Sequence, residues 1–236
     1  MAHGLTFDSI DSLLLESDLA RWGVAANDPT LPAAPGPPDV PALPTAISLL
    51  APVTDEELAG VEDGPTPAYY AGYRRANALL NAAASALADA LAKAGHRAQP
   101  VLATIPEAEY AAIDDWCNVR VFPHKTAATR AGLGWIGKTA LFVSPEFGPR
   151  VRLATVLTDL TLPPGEPVDV GRCGACRRCV DACPAGAGRD VTWRVGMARA
   201  ELFDARACEH ETERHEDLGG VCGVCIAVCP WGRGPA

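Results

Sequence analysis

Apolar positions recur at helical spacing in two parts of the N-terminal half. The clearer part is residues 68 to 94, AYYAGYRRANALLNAAASALADALAKA, whose many Ala and Leu residues predict a long helix that ends at Gly95. The other part is residues 5 to 24, where four apolar side chains follow helical spacing and Gly23 is placed to close the helix. The pattern therefore predicts one helix at the N-terminus and one long helix further on.

Short apolar runs predict strands around the long helix. Ala46 to Leu50 lies between two prolines and is consistent with a buried strand. We expect further strands at residues 97 to 103, 119 to 122, 140 to 143 and 151 to 157. Because strands alternate with helices, the fold class predicted for this part is α/β with a mixed sheet.

Composition sets limits on this picture. At 236 residues and 24.6 kDa the chain is long enough for one core domain and one small module. Residues 28 to 44 hold seven prolines, which remove backbone donors, so we expect an extended connector there. The net charge is -9, and no block of Lys and Arg forms the basic stripe that a large nucleic-acid partner needs.

The predicted location of the chain is the cytoplasm. The N-terminal MAHGLTFDSIDSLLLESD has no basic segment and is interrupted by acidic residues, which argues against a signal peptide. We expect no membrane partner, because no apolar run reaches the length of about 18 residues that a membrane span requires. Nine cysteines without a secretory signal indicate a reducing compartment, where thiols bind metals or serve redox chemistry.

The first cysteine run carries the most specific motif of the sequence. It reads CGACRRCVDACP from Cys173 to Pro184, the C-x2-C-x2-C-x3-C-P spacing of bacterial ferredoxin-type clusters. A straight helix would spread Cys173 and Cys179 over about 9 Å. We therefore expect a curled loop, helped by Gly174, that directs three thiolates at one 4Fe-4S cluster.

A second run is required, because the fourth cysteine of this spacing serves the other cluster. CGVCIAVCP, from Cys222 to Pro230, repeats the last three positions of the pattern, but Gly219 stands where a further cysteine is expected. Cys208 is the only cysteine near enough to replace it. The predicted ligands of cluster one are Cys173, Cys176, Cys179 and Cys229, and those of cluster two are Cys183, Cys208, Cys222 and Cys225.

Zinc is the alternative to iron, because tetrahedral sites of four cysteines also use C-x2-C pairs. Three cysteines at successive x2 spacing and two Cys-Pro endings favour 4Fe-4S clusters. The ninth cysteine, Cys117, stands alone in DDWCNV, and we interpret it as a small buried hydrophobic residue.

A nucleotide-binding motif occurs in the wrong context. Residues 132 to 139, GLGWIGKT, match the Walker A pattern and G-x-G-x-x-G, and Asp159 offers an acidic residue downstream. Both motifs need a strand before them and a long helix after them. Here the preceding HKTAATRA is helix-like and the following ALFVSPEFGP is strand-like, so we expect no nucleotide site at Lys138.

Four segments together resemble a known family. They are AGLGWIGK (131 to 138), VRLATVLTDLTL (151 to 162), CGACRRCVDACPAGA (173 to 187) and the stretch from LFDARACEHE to VCGVCIAVCPWGRG (202 to 234). With them the chain resembles the epoxyqueuosine reductase family, which shares its double-cluster module with reductive dehalogenases. The resemblance implies that two clusters feed electrons to a cobalamin bound by the α/β domain, which serves to reduce an epoxide on a modified tRNA base.

Two departures from the family concern tRNA and catalysis. The sequence ends seven residues after Cys229, before the helical repeats with which longer members help to hold tRNA, so we do not expect tRNA as a partner. The family's catalytic aspartate falls on Asn118, whose amide cannot donate a proton as a carboxylic acid does.

The catalytic residue is accordingly left open. Asp114 or Asp115 is near enough in sequence to take the role of Asn118. His124 and Lys125, in PHKTAATR, are further candidates, with a solvated loop as the simpler interpretation.

The sequence thus predicts three parts: residues 1-44, an N-terminal helix and connector; 45-165, an α/β core domain with a mixed sheet; and 166-236, a small double-cluster, ferredoxin-like module. The function we expect is a reductase that passes electrons through both clusters to a substrate or to cobalamin, with an electron-donor protein such as a flavodoxin or a ferredoxin reductase as its partner. A ferredoxin-like electron carrier without its own catalytic site is the alternative.

A cavity between the core domain and the module would favour the enzyme over the carrier, and we expect one that cobalamin or a small-molecule substrate occupies. Four aromatic residues are candidates to line it, and packing is an equally good interpretation of them: Tyr69, Tyr70, Tyr73 and Trp135.

Overall fold

The computed structural model describes residues 6–17, 19–26, 43–104 and 123–233. Its helices are α1 (Phe7–Leu15), α2 (Pro67–Lys93), α3 (His124–Arg130), α4 (Arg178–Asp181), α5 (Arg199–Leu202), α6 (Ala205–Glu213) and α7 (Val224–Ala227). Its strands are β1 (Arg21–Ala26), β2 (Thr45–Pro52), β3 (Ala98–Val101), β4 (Trp135–Ile136), β5 (Phe142–Val143) and β6 (Val151–Thr158). The predicted α/β class is confirmed.

Four strands form the main sheet, in the order β1-β2-β6-β3. β1 runs antiparallel to β2, with Trp22 opposite Leu49, and β3 runs antiparallel to β6, with Gln99 opposite Leu157. Every residue of β2 except Pro52 is buried, as expected for a continuous apolar run covered on both faces. The strands predicted at residues 46 to 50, 97 to 103 and 151 to 157 are therefore confirmed.

The long helix α2 begins and ends where local chemistry directs it. The Thr66 hydroxyl accepts a hydrogen bond from the Tyr69 backbone N–H at 3.2 Å, and Pro67 occupies the first helical position, where no backbone donor is needed. Gly95, with φ of 91°, adopts the left-handed conformation after the last turn, and the His96 N–H reaches the Leu91 carbonyl. The predicted helix and its glycine stop are confirmed.

The helix predicted over residues 5 to 24 is wrong in its second half. The helix α1 ends at Leu15, and residues 21 to 26 form strand β1 instead. Pairing with the buried strand β2 overrides the local helical spacing. Gly23 lies inside β1, where a Cβ would approach the Leu133 side chain to 3.0 Å, so this glycine allows close packing and does not end a helix.

Two predicted elements, the connector at residues 28 to 44 and the strand at 119 to 122, fall wholly or almost wholly outside the described residues. The strand predicted at residues 140 to 143 is confirmed in part, as β5. In the described part of the chain, no helix is long and apolar enough to cross a membrane.

The described residues gather into two compact units that alternate along the chain. Unit 1 lies within Met1–Ala51, Asn77–Leu133 and Arg152–Pro167, and unit 2 within Pro52–Ala76, Gly134–Val151 and Val168–Ala236. Unit 1 holds a cluster of buried apolar side chains that includes Ala46, Ala127 and Leu157. Unit 2 contains the eight predicted ligands: the four cysteines of the first run, the three of the second run, and Cys208 between them. The predicted boundaries at residues 44 and 165 stay a prediction.

Candidate metal centre

The first cysteine run forms the curled loop that its spacing predicts. The Cys176 N–H donates to the Cys173 carbonyl at 3.1 Å, and Gly174 adopts a left-handed φ of 54° with open space around its Cα hydrogens. The single-turn helix α4 follows and carries Cys179. The chain therefore turns back on itself and does not spread these cysteines along a helix axis.

Electrostatic contacts gather the cysteines into two groups, which meet at Cys179 and Cys225. In the first group, burial raises the pKa of the Cys179 thiol, and the neighbouring Cys173 and Cys176 raise it further. Burial also raises the pKa of Cys229 to about 11, with additional increases from Cys179 and Cys173. The structure thus brings together the four predicted ligands of cluster one.

The second group contains the displaced cysteine. Burial raises the pKa of Cys225 to about 12, and Cys222, Cys208 and, from the first group, Cys179 raise it further. The pKa of Cys222 is raised by burial and, more weakly, by Glu211 and Cys183. Because a cysteine binds metal as the thiolate, metal binding at these thiols releases protons.

Backbone N–H groups point at the sulfurs, as expected around iron-sulfur clusters. The Ala187 N–H donates to the sulfur of Cys183 at 3.4 Å. The backbone N–H groups of Val224 and Trp231 likewise lower the pKa of Cys222 and Cys229, because each favours the thiolate.

A glycine and a tyrosine explain why the second run lacks its regular cysteine. Gly219 has φ of 67°, and a Cβ built on it would lie 2.3 Å from Cε2 of Tyr70. No cysteine fits at that position without displacing the ring. The helix α6, capped by the Asp204 carboxylate that accepts from the Ala207 N–H at 3.1 Å, presents Cys208 instead.

Two of the three tyrosines that were predicted to line a cavity or to serve packing, Tyr69 and Tyr70, pack against glycines of unit 2. Tyr69 is buried, and a Cβ on Gly223 would lie 2.6 Å from its ring, so Tyr69 packs on the turn between Cys222 and Val224. With Tyr70 on Gly219, both rings support the second cysteine run.

Trp135 is fully buried and leaves a polar atom without a partner. Its ring meets Trp231 edge to face at 4.7 Å between centroids, and Arg172 lies over it at 5.7 Å. Among described atoms its indole N–H has no hydrogen-bond acceptor. The neighbouring Cδ1 would lie 3.6 Å from a Cβ on Gly171, so this edge borders the start of the first cysteine loop. Sulfurs of a bound cluster are suitable acceptors for such a donor.

The donor set as a whole fits clusters of several irons. Gly137 passes so close to the first loop that its Cβ would lie 3.8 Å from the Cys173 sulfur. Among the described residues, no group of three or more His, Cys, Asp or Glu side chains is arranged to hold a metal ion. Eight sulfurs in two groups, with backbone donors and a buried orphan N–H beside them, match the chemistry of two 4Fe-4S clusters.

Arg150 supports the backbone at Cys229, a predicted ligand of cluster one, without any signal in the sequence. Its buried guanidinium donates to the Cys229 carbonyl at 2.9 Å and to the Trp231 carbonyl at 2.6 Å. Asp55 lies 3.2 Å from its Nε, although the pair lacks hydrogen-bond geometry. Burial lowers the pKa of Arg150, which stays charged because it begins far above neutrality.

The Walker-like segment forms a β-hairpin. Strands β4 and β5 pair with Trp135 opposite Val143, and the Gly137 N–H donates to the Leu141 carbonyl at 2.7 Å. A strand follows Thr139 where a phosphate-binding loop needs a helix N-terminus. Lys138 is buried, and its ammonium lies 2.7 Å from the Asp190 carboxylate.

The catalytic candidates lie in two places. Asp114, Asp115 and the position of the family's aspartate, Asn118, lie outside the described residues, as does Cys117, which was predicted to be a small buried residue. His124, at the start of α3, is half-buried and not in a solvated loop: its Nε2 donates to the Leu102 carbonyl at 3.1 Å, and its Nδ1 lies 2.8 Å from the Thr155 hydroxyl. The surrounding protein lowers the pKa of His124 to about 4, and the charge of Arg152 adds to the decrease. Lys125 is exposed.

Comparison with known proteins defines the class of this site. Residues 172–232 match the family described as a 4Fe-4S double cluster binding domain. The chain therefore carries a domain for two 4Fe-4S clusters and is an iron-sulfur protein.

Two kinds of relatives match just under half of the chain. Over 119 residues it is 34% identical to the tetrachloroethene reductive dehalogenase of Sulfurospirillum multivorans, covering 45% of this chain and 23% of that protein. Over 111 residues it is 37% identical to the epoxyqueuosine reductase of Lactococcus garvieae (strain Lg2), covering 45% of this chain and 31% of that protein. The chain thus matches less than a third of either relative's length.

Solved structures share the fold over nearly the whole chain. A reductive dehalogenase whose structure suggests a mechanism for B12-dependent dehalogenation has a TM-score of 0.72 at 21% identity, over 96% of this chain and 32% of that chain. An epoxyqueuosine reductase with a tRNA-Tyr stem loop has a TM-score of 0.58 at 17% identity, over 96% and 65%. At these identities the likeness shows the fold alone.

Proposed function

We propose that the chain is a reductase that passes electrons through two 4Fe-4S clusters to a substrate or cobalamin site in the α/β domain. The proposed ligands of cluster one are Cys173, Cys176, Cys179 and Cys229, and those of cluster two are Cys183, Cys208, Cys222 and Cys225. Electrostatic contacts support this assignment, because most of the contacts of the shifted thiols are with cysteines of the same set.

One observation carries the electron-transfer function: the two groups adjoin. Cys179 of the first group lies near enough to Cys225 of the second to raise its pKa. Ligands in such proximity place their clusters in series, so an electron that enters at one cluster is passed to the other. A single structural metal site would not need this arrangement.

Cobalamin is the proposed acceptor, on the strength of the B12-dependent dehalogenase and the epoxyqueuosine reductases among the relatives. When bound, it supplies a cobalt that takes up electrons and delivers them to a substrate. This chain's own contribution is to hold the clusters in a fixed, partly buried frame. His124 is held neutral with both ring nitrogens engaged, so it positions neighbouring groups and does not serve as a proton donor at neutral pH.

The proposal is tested by adding cob(II)alamin to the anaerobically reconstituted chain. We expect retention in equilibrium dialysis and a changed cobalt signal in electron paramagnetic resonance (EPR). Cys208→Ala is the matched control: it should retain cobalamin but reduce it more slowly, because electrons no longer pass through cluster two. Additive spectra together with no retention would remove cobalamin from the proposal and leave the electron carrier.

A ferredoxin-like electron carrier is the second candidate, favoured by the exposure of the first cysteine loop. Gly174 and Ala175 are exposed between two proposed ligands of cluster one, so a partner protein has direct access to that cluster. An electron-donor protein such as a flavodoxin or a ferredoxin reductase fits either function. We propose a small-molecule substrate in preference to tRNA, because a net charge of -9 repels the phosphate backbone. We also propose a cytoplasmic location.

A further inference from the structure

An arginine-rich surface borders the first cysteine run, although the chain as a whole is acidic. Residues 170–178 and 189–195 contain five arginines and one aspartate, which give a local charge of +4 in a chain of net charge -9. We call the exposed residues of these two segments the arginine surface. All five arginines are exposed: Arg172, Arg177, Arg178, Arg189 and Arg194.

Backbone contacts hold the two segments side by side. Val170 and Arg194 pair in an isolated antiparallel bridge, and the Gly171 N–H donates to the Trp193 carbonyl at 2.8 Å. Residues directly opposite each other in an antiparallel pair share a face, and successive residues alternate between the two faces. Val170 and Arg194 therefore lie together on the outer side, and the buried Trp193 lies on the inner side.

The one aspartate of these segments does little to neutralise the arginines. One carboxylate oxygen of Asp190 accepts from Arg177 at 2.6 Å, which ties the cysteine loop to the second segment. The other oxygen accepts from the buried Lys138 at 2.7 Å, so the charge of Asp190 is offset from inside the protein. Among the described residues, Arg178 and Arg194 form no ion pair. Both can therefore pair with carboxylates of a partner without breaking a contact within the chain.

Exposed apolar side chains lie among these arginines. Val170, Val191 and Val195 are between 36% and 52% exposed, and all three belong to the arginine surface. In the described part of unit 2, they are the large hydrophobic residues that are exposed. Protein–protein interfaces are enriched in arginine and combine an apolar centre with a polar rim. The composition of this surface therefore fits a protein partner.

The arginine surface adjoins the proposed ligands of cluster one. Arg177 and Arg178 stand between Cys176 and Cys179, so a partner seated here lies beside that cluster. The stretch that follows, residues 201–217, has the opposite charge, with seven acidic residues and two arginines. A compact acidic protein suits the basic part alone, whereas the acidic stretch of the same unit disfavours an extended polyanion such as tRNA.

We propose that the arginine surface is the docking site of an acidic electron-donor protein that reduces cluster one. The proposal rests on the proposed function and adds the place at which electrons enter. Charge complementarity directs such a donor to this surface, because the remainder of the acidic chain repels it. When the donor is a flavodoxin, its flavin hydroquinone gives up one electron and becomes the semiquinone. The cluster is reduced by that electron, and no bond forms or breaks.

The test uses an acidic flavodoxin as the probe, with the reconstituted full chain and three variants of the same charge change. Arg178→Glu and Arg194→Glu reverse charges on the arginine surface. Arg214→Glu is the matched control, because it reverses a charge that is 74% exposed in the acidic stretch. Anaerobic titration calorimetry measures the Kd, and stopped-flow absorbance measures the rate at which the semiquinone forms.

We expect each reversal on the arginine surface to raise the Kd about tenfold at an ionic strength of about 0.01 M. The difference from the wild-type chain should largely vanish at about 1 M, where salt screens the charges. The rate of semiquinone formation should fall in the same variants. Arg214→Glu should leave the Kd within about twofold of the wild-type value.

Two further measurements keep the result interpretable. Val195→Ser keeps the charge but removes apolar contact, and it should raise the Kd about threefold at both ionic strengths. Iron content shows whether each variant retains its clusters. If Arg178→Glu loses iron, Arg194→Glu decides the outcome, because Arg194 lies outside the cysteine run.

Three results would overturn the proposal. The first is no saturable binding at low ionic strength of the flavodoxin, or of an acidic ferredoxin offered in its place. The second is equal weakening by Arg214→Glu. The third is binding of a tRNA that both reversals abolish while flavodoxin binding stays unchanged, which would assign the surface to nucleic acid. If the wild-type chain binds no iron, the proposed function fails; an iron-loaded chain that binds no donor contradicts this proposal alone.

Discussion

The sheet and the cysteine segment are stabilised by different means. Strand β2 buries seven of its eight residues, and the helix α2 adds further buried apolar side chains, among them Leu80, Leu87 and Leu91. Between residues 168 and 233, by contrast, the buried hydrophobic residues are Ala187, Trp193, Leu202, Val224, Ala227 and Cys229. The sheet therefore gains its stability from apolar burial, and the cysteine segment depends on bound clusters.

Removal of the clusters should produce the largest effect and test this comparison directly. In hydrogen exchange of the anaerobic protein against chelator-treated protein, we expect amide protection to fall about a hundredfold or more around Cys173 to Cys229. That corresponds to about 2.7 kcal/mol. Protection in β2 as far as Ala51 and in the part of α2 from Asn77 onward should change little, because these residues belong to unit 1, which does not contain the cysteines of the two runs. Equal loss in both regions would contradict the comparison.

Removal of one cysteine ligand should abolish one cluster and leave the other in place. In Cys208→Ala we expect iron to fall from about eight to about four per chain, with the spectrum of cluster one retained. Cys176→Ala is the reciprocal control and should retain cluster two. If Cys208→Ala keeps both clusters unchanged, the assignment is wrong, and Cys117 or a non-cysteine ligand must replace Cys208.

Gly219→Ala should be more destabilising than Gly174→Ala. Both glycines have left-handed φ values, which cost an alanine about 1–2 kcal/mol, but only at Gly219 does the new Cβ also clash with Tyr70. Overpacking adds about 1–3 kcal/mol. Urea unfolding of cluster-loaded protein measures both. In a Tyr70→Ala background, the cost of Gly219→Ala should fall to that of Gly174→Ala, and an unchanged cost would rule out the clash.

The smallest effect concerns unit 1 and the neutral ring of His124. Its pKa is lowered to about 4 in the folded chain, by burial first, from an ordinary value of 6.5. The unfolded chain therefore takes up a proton first as the pH falls. The stabilisation is complete above pH 6.5 and is lost as the pH falls toward 4. Between pH 7 and pH 6 we expect the free energy of unfolding to fall by less than about 1 kcal/mol.

The measurement is unfolding at several pH values, with His124→Gln as the control that carries no titrating ring. Between pH 7 and pH 6, the free energy of unfolding should change less in the variant than in the wild-type chain. A ring whose nuclear magnetic resonance titration has a midpoint near 6.5 would refute the lowered pKa.

Local signals were sufficient for some features and insufficient for others. Ligand spacing and Cys-Pro endings indicated the eight cysteines, and Ala and Leu content with Gly95 indicated α2, because each rule acts over a few residues. The strand at Gly23 was missed, because its pairing with β2 is a tertiary contact. Arg150 carried no sequence signal, and the sequence singled out Tyr70 without its partner Gly219, because each acts on a part of the chain that is far away in sequence.

The most direct test of the account is the metal and sulfide content of the chain after anaerobic reconstitution. Two 4Fe-4S clusters on two sets of four cysteines predict about eight irons and about eight acid-labile sulfides per chain. Iron and sulfide should fall together to about half in Cys208→Ala. About two zinc ions per chain without sulfide, in protein purified anaerobically, would contradict the central claim.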